Sequence, residues 1–133
     1  MLRIGSVVLG VADVRRAVAF WGEALGYVPR GGVIEDDWVV LVPADGGPGE
    51  GGMPGAGGVQ VALGRSVTPP QEHPRVHLDL YAADAADQAA EVERLVGLGA
   101  RHVDWDLYPQ DPDFVVLECP DRNRFCVIDA SRS

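Results

Sequence analysis

The pattern of apolar positions changes period several times along the chain. Residues 4–11 are rich in aliphatic and β-branched side chains (Ile4, Val7, Val8, Leu9, Val11) and predict a strand. Behind Asp13, a residue type that caps helix N-termini, Val14, Ala17, Val18, Trp21 and Leu25 recur at helical spacing. Gly26 stands where such a helix ends on a left-handed residue. Two short strands are expected at 27–34 and 38–42. Segment 43–58 is crowded with Gly and Pro and has no period, so it reads as a mobile loop, and 58–64 returns to strand.

The order then repeats. Residues 75–81 predict a strand and Asp84 a cap, and Ala89, Val92, Leu95, Val96 and Leu98 form a second helical stripe closed by Gly99. Three further strands are expected at 101–105, 113–118 and 124–128, and segment 66–74, with Pro69-Pro70, joins the halves. Each half is strand, helix, then three strands, and a half alone covers its sheet poorly. The expectation is one α+β domain whose paired halves enclose a small-molecule cleft.

Alternation along the strands predicts which side chains face that cleft. In Val76-His77-Leu78-Asp79-Leu80 the apolar residues belong against the helix, leaving His77 and Asp79 on the other face. The leading strand of the first half gives Val7, Leu9 and Val11 to its helix and leaves Ser6, Val8 and Gly10. Gln60 lies among Val59, Val61 and Leu63, and Glu118 ends the apolar run 114–117, where a carboxylate needs a partner, a metal or water. Ser6, Gln60, His77 and Glu118 are thus expected to converge from four strands. Trp38, Trp105 and Tyr108 on neighbouring segments would supply aromatic walls, while Phe114 and Trp21 read as core.

Composition narrows the function. All 11 basic residues are Arg, they are scattered, and the formal charge is -9, which argues against nucleic acid. No apolar run reaches the roughly 20 residues that span a bilayer, and the start has no signal-peptide pattern, so a cytoplasmic location is expected. Cys119 and Cys126 fit neither a CxxC motif nor a four-ligand zinc site, and Cys126 reads as a small core residue. His73 and His102 read as surface residues.

Taken together, the chain resembles the vicinal oxygen chelate superfamily of glyoxalases, bleomycin-resistance proteins and extradiol dioxygenases. The resemblance covers essentially the whole chain. It rests on segment 7–13 (Val-Val-Leu-Gly-Val-Ala-Asp), segment 20–26 (Phe-Trp-Gly-Glu-Ala-Leu-Gly), segment 76–80, segment 95–100 and the tail 115–125 with its Cys119-Pro120-Asp121-Arg122-Asn123 turn. It implies two βαβββ modules, about residues 1–65 and 75–130, forming a cupped eight-stranded mixed sheet with the helices outside, and a homodimer. Metal-dependent relatives hold a divalent ion with one inward residue from the first and fourth strand of each half. By position these are Ser6, Gln60, His77 and Glu118. Ser6 stands where His or Gln is expected, and Gln60 where a carboxylate is. The family turn carries Gly where this chain has Arg122, and Asn123, which tolerates a left-handed backbone, is expected to absorb that loss.

The degraded quartet favours a small-molecule-binding protein without a cofactor, taking a partly apolar or aromatic metabolite or drug against Ser6, Trp38, Gln60, Asp79, Trp105 and Tyr108. The alternative is a lyase, isomerase or dioxygenase in which His77 and Glu118 act catalytically. There Zn, Ni, Fe or Mn would be held by His77, Glu118 and Gln60 and act as a Lewis acid. Each residue also has a blander reading. His77 could simply hydrogen-bond Asp79 or Glu118, and Glu118 could pair with an Arg such as Arg124.

Overall fold

The computed structural model describes residues 1–45 and 58–132. Most of the predicted loop at 43–58 therefore lies outside the described residues. The chain divides into two compact units, Met1–Thr68 and Pro69–Ser133. The eight strands among the described residues form two four-stranded mixed sheets, one in each unit. No described helix is long and apolar enough to cross a membrane.

In the first unit the order is β1 (Ser6–Val11), α1 (Val14–Leu25), β2 (Tyr27–Pro29), β3 (Trp38–Pro43) and β4 (Gln60–Arg65). The sheet runs β1-β4-β3-β2, with β1 and β4 parallel and the other pairs antiparallel. Helix α1 forms as its pattern predicts. The Asp13 carboxylate accepts the Arg16 N–H at 3.1 Å, and Gly26, at φ 67°, turns the chain out. Val14, Ala17, Phe20 and Trp21 are its buried face, Phe20 joining the expected stripe. They pack with Val11, Val39, Leu41, Val61 and Leu63 in the first core. β2 is shorter than expected because the chain turns at Arg30–Gly32, where Gly31 and Gly32 both have positive φ.

The second unit repeats the plan with β5 (Asp79–Ala82), α2 (Ala85–Gly97), β6 (Arg101–His102), β7 (Phe114–Glu118) and β8 (Arg124–Asp129) in the order β5-β8-β7-β6. Asp84 accepts the Asp87 N–H while Asp87 accepts the Ala83 N–H, a reciprocal cap, each at 2.8 Å. The buried stripe of α2 differs from the expected one. Val92 and Leu95 are buried, but Ala89 and Val96 are exposed. Gln88 instead faces the sheet and donates to the carbonyls of Asp113 and Val127.

Three further expectations are corrected. β5 begins at Asp79 rather than residue 75, so His77 precedes the strand. β6 stops at His102 rather than 105, because the Tyr108 hydroxyl, at 2.7 Å, takes the Val116 N–H that a longer strand would have bonded. In the turn before β8 the left-handed residue is Arg122, at φ 71°, and not Asn123.

Candidate functional site

The parallel pairing of β1 with β4 makes Ser6 and Gln60 direct neighbours. Alternation puts both on the face opposite Val7, Leu9, Val61 and Leu63. Gln60 is 3% exposed, and burial of an amide requires partners for its oxygen. Oε1 has two: Ser6 Oγ donates from 3.4 Å and Arg30 Nη1 from 3.2 Å. A guanidinium thus holds the carbonyl oxygen that would have to face a metal, and both lone pairs are used. These residues do not suit a cation. On the same face Trp38 lies opposite Gly64, and a Cβ at Gly64 would come within 3.1 Å of its ring. Trp38 remains 46% exposed, an aromatic surface open for contact.

In the second unit β5 pairs in parallel with β8, which sets Asp79 beside Cys126, and β8 pairs with β7, which sets Cys126 beside Val116. Val116, Cys126 and Ile128 form a buried cluster with Val103, Trp105 and Phe114, none of them helical, so this is the face away from α2. His77 Nε2 lies 3.0 Å from Asp79 Oδ1. One ligand atom each from His77, Asp79 and Cys126 fall within 4.8 Å of one another. Burial, and then the Asp79 carboxylate, push the Cys126 thiol up to about 11, so it holds its proton at neutral pH. Beside them is a cavity of about 90 Å³ bordered by Pro74, His77, Trp105, Val116, Arg124, Phe125 and Cys126. Arg124 lies over the Trp105 ring at 5.8 Å.

Glu118 sits elsewhere. It belongs to β7, the third strand of its unit, whereas the fourth strand is β8, so its assignment to a fourth strand is corrected. Its partner is Arg101, the cross-strand neighbour on β6, at 3.1 Å, and not Arg124. Glu118 is not in the His77 cluster, whose third member, Cys126, had been assigned only to the core. One signal in the sequence could have found it: 124–128 is the fourth strand of its half, as 58–64 is of the first, so its inward residues are the counterparts of Gln60.

Tyr108 and Trp105 have structural duties as well. The Tyr108 ring packs on Phe114 with centroids 5.3 Å apart while its hydroxyl serves Val116. Trp105 carries His73 at 5.0 Å on one side. His73 and His102 are exposed, as expected of surface residues, and border an open polar depression of about 510 Å³ with Asp104, Asp106 and Glu118. The His73 ring, 2.7 Å from Asp106, holds that carboxyl below the ordinary carboxylate range.

Comparison with known proteins places this geometry in a wider group. A family profile described as "Glyoxalase-like domain" matches residues 6–128. No curated protein matches the chain. Among solved structures, a possible glyoxalase from Bacillus cereus is 17% identical over 96% of this chain and 99% of its own, with a TM-score of 0.66. A glyoxalase-related enzyme from Fulvimarina pelagi is 18% identical over 96% of this chain and 88% of its own, again at 0.66. A fosfomycin resistance protein from Listeria monocytogenes, complexed with Mn(II) and dihydroxypropylphosphonic acid, is 14% identical over 96% of this chain and 90% of its own, at 0.65.

Proposed function

The chain belongs to the glyoxalase-like domain family, and from that membership we propose that it binds a small, partly apolar or aromatic metabolite or drug without using the family's four-residue metal set. The observation that carries the reading is the replacement of metal by arginine. Arg30 holds the Gln60 carbonyl, so one of the expected ligand positions already has a cationic partner, and Glu118, on the third strand of its unit, is paired with Arg101. Serine at position 6 adds only a neutral hydroxyl, a poor donor to a transition metal.

What the second unit offers a ligand is an apolar recess, walled by Pro74, Trp105 and Val116, with His77 and Arg124 at its border. Such a site holds a flat or aliphatic body by contact and orients it with one or two polar groups. The test is a thermal-shift screen of small aromatic and aliphatic compounds in the presence of a chelator. A ligand raises the unfolding temperature by mass action. The expected result is saturable stabilisation by at least one compound that Trp105→Ala abolishes. If no compound stabilises the chelated protein, the reading is wrong.

A second reading, a divalent-metal lyase, isomerase or dioxygenase, is favoured by the His77, Asp79 and Cys126 cluster and by the Mn(II) complex of the fosfomycin resistance protein. Stabilisation seen only with added metal would select it over the first.

A further inference from the structure

We propose that the face of the first sheet opposite α1 binds an elongated organic anion, a carboxylate on an aromatic or aliphatic body, with Arg30 as its anchor and Trp38 as the platform for its apolar end. The site lies within one unit and shares no residue with the recess bordered by His77 and Trp105, so it goes beyond the ligand binding proposed there. Register gives the face its two ends. Ser6 stands beside Gln60, Val8 beside Ala62 and Ala62 beside Val40, while Gly64 is the neighbour of Trp38. Gln60 and Gly64 are four residues apart on β4, which separates the polar end from the aromatic end by about 13 Å.

At the polar end the acceptor is used up and the donors are not. The Gln60 carbonyl oxygen is taken by Ser6 and Arg30, and its amide nitrogen meets no acceptor among the described residues, although the residue is buried. Arg30 opens the turn after β2 and gives one N–H, at Nη1, to Gln60. Among the described residues it has no carboxylate partner, whereas Arg15, Arg65, Arg94, Arg101 and Arg132 each have one. In a chain with 20 acidic residues against 11 basic ones, a guanidinium positioned by a buried amide and left without a counter-ion is complementary to a ligand's charge rather than to the protein's. Most of its N–H donors remain, and its planar fork matches a carboxylate bidentately. From there to Trp38 the face is apolar. Val8 is 56% exposed, and Ala62 leaves only a methyl group between Val8 and Val40. Trp38 rests on Gly64, where a Cβ would meet its ring at 3.1 Å, and its open side is a surface on which an aromatic or aliphatic body stacks. A neutral ligand leaves Arg30 without a counter-charge and a cationic one is repelled by it, so charge complementarity selects the anion.

The test is isothermal titration calorimetry of the full chain with phenylhexanoate, and with phenylhexanol and phenylhexylamine, which carry the same body on a neutral and a cationic head. Phenylhexanoate should bind one per chain and at least about tenfold more tightly than either, the contribution of a charge-assisted pair. Arg30→Met, at an exposed position, should remove that preference and bring phenylhexanoate down to the affinity of the alcohol. Trp38→Ala should weaken the anion and the alcohol alike. Phenylacetate, too short to reach the ring from Arg30, should bind the parent at least about tenfold more weakly than phenylhexanoate. Circular dichroism checks that each variant is folded. No saturable binding of phenylhexanoate, equal affinity for the three heads, or a preference that survives Arg30→Met would overturn the site. Binding lost in Trp105→Ala but kept in Arg30→Met would put the anion in the recess of the second unit and overturn it as well. Failure here leaves the reading of that recess standing, because neither Arg30 nor Trp38 borders it.

Discussion

Tyr108→Phe removes one oxygen atom and tests why the edge strand of the second sheet is short. The hydroxyl accepts the Val116 N–H at 2.7 Å, and Val116 is 3% exposed, so the variant leaves a buried amide without its acceptor. A donor stranded in this way costs about 1–3 kcal/mol. The aromatic contact with Phe114, at 5.3 Å between centroids, survives because the ring is kept. Tyr108 is itself 37% exposed, and water that reaches the vacated position offsets part of the loss, which places the expectation at about 1–2 kcal/mol. For a chain of this size that is a fall in unfolding temperature of roughly 3–10 °C. Urea unfolding gives the same quantity, with a lower midpoint and an unchanged slope. A variant within about 0.5 kcal/mol of the parent would refute the reasoning, since β6 would then end at His102 for some other cause.

Three further outcomes follow from the geometry. Arg122→Gly should stabilise the chain by about 0.5–1 kcal/mol in the same urea assay, because Arg122 holds φ at 71° and glycine does so without a Cβ clash; a loss of stability would contradict the strain. Stability should decline as pH rises from about 9 toward 11, measured as the urea midpoint. Cys126, Cys119 and Tyr27 all have folded values raised, chiefly by burial, so their contribution is complete below the unfolded values and disappears as pH passes the folded ones; the chain has no Lys to mask the effect, and a flat profile would refute it. Ser6→His with Gln60→Glu places imidazole and carboxylate on neighbouring strands, and nickel affinity should rise further when Arg30→Met is added; equal affinity with and without Arg30 would show that the guanidinium does not oppose the ion.

The sequence by itself determined the helices and the order of the elements. Asp13 and Asp84 cap where they were expected to, and Gly26 terminates α1, because caps depend on residues within one turn of each other. The faces of the strands were legible for the same local reason, since alternation is a property of each strand alone. Strand ends were not. β5 and β6 are shorter than their apolar runs because a strand extends only as far as its neighbour offers backbone partners, and Tyr108 supplies one from outside the ladder. Nor could local pattern choose partners for the polar residues. Only the tertiary structure decided that Glu118 meets Arg101, that Arg30 reaches Gln60 from a turn 30 residues away, and that the parallel pairing of β5 with β8 sets Cys126 beside Asp79. The physical reason is that hydrogen bonds and ion pairs act over about 3 Å, and which side chains come that close depends on the order of strands in the sheet rather than their order in the chain.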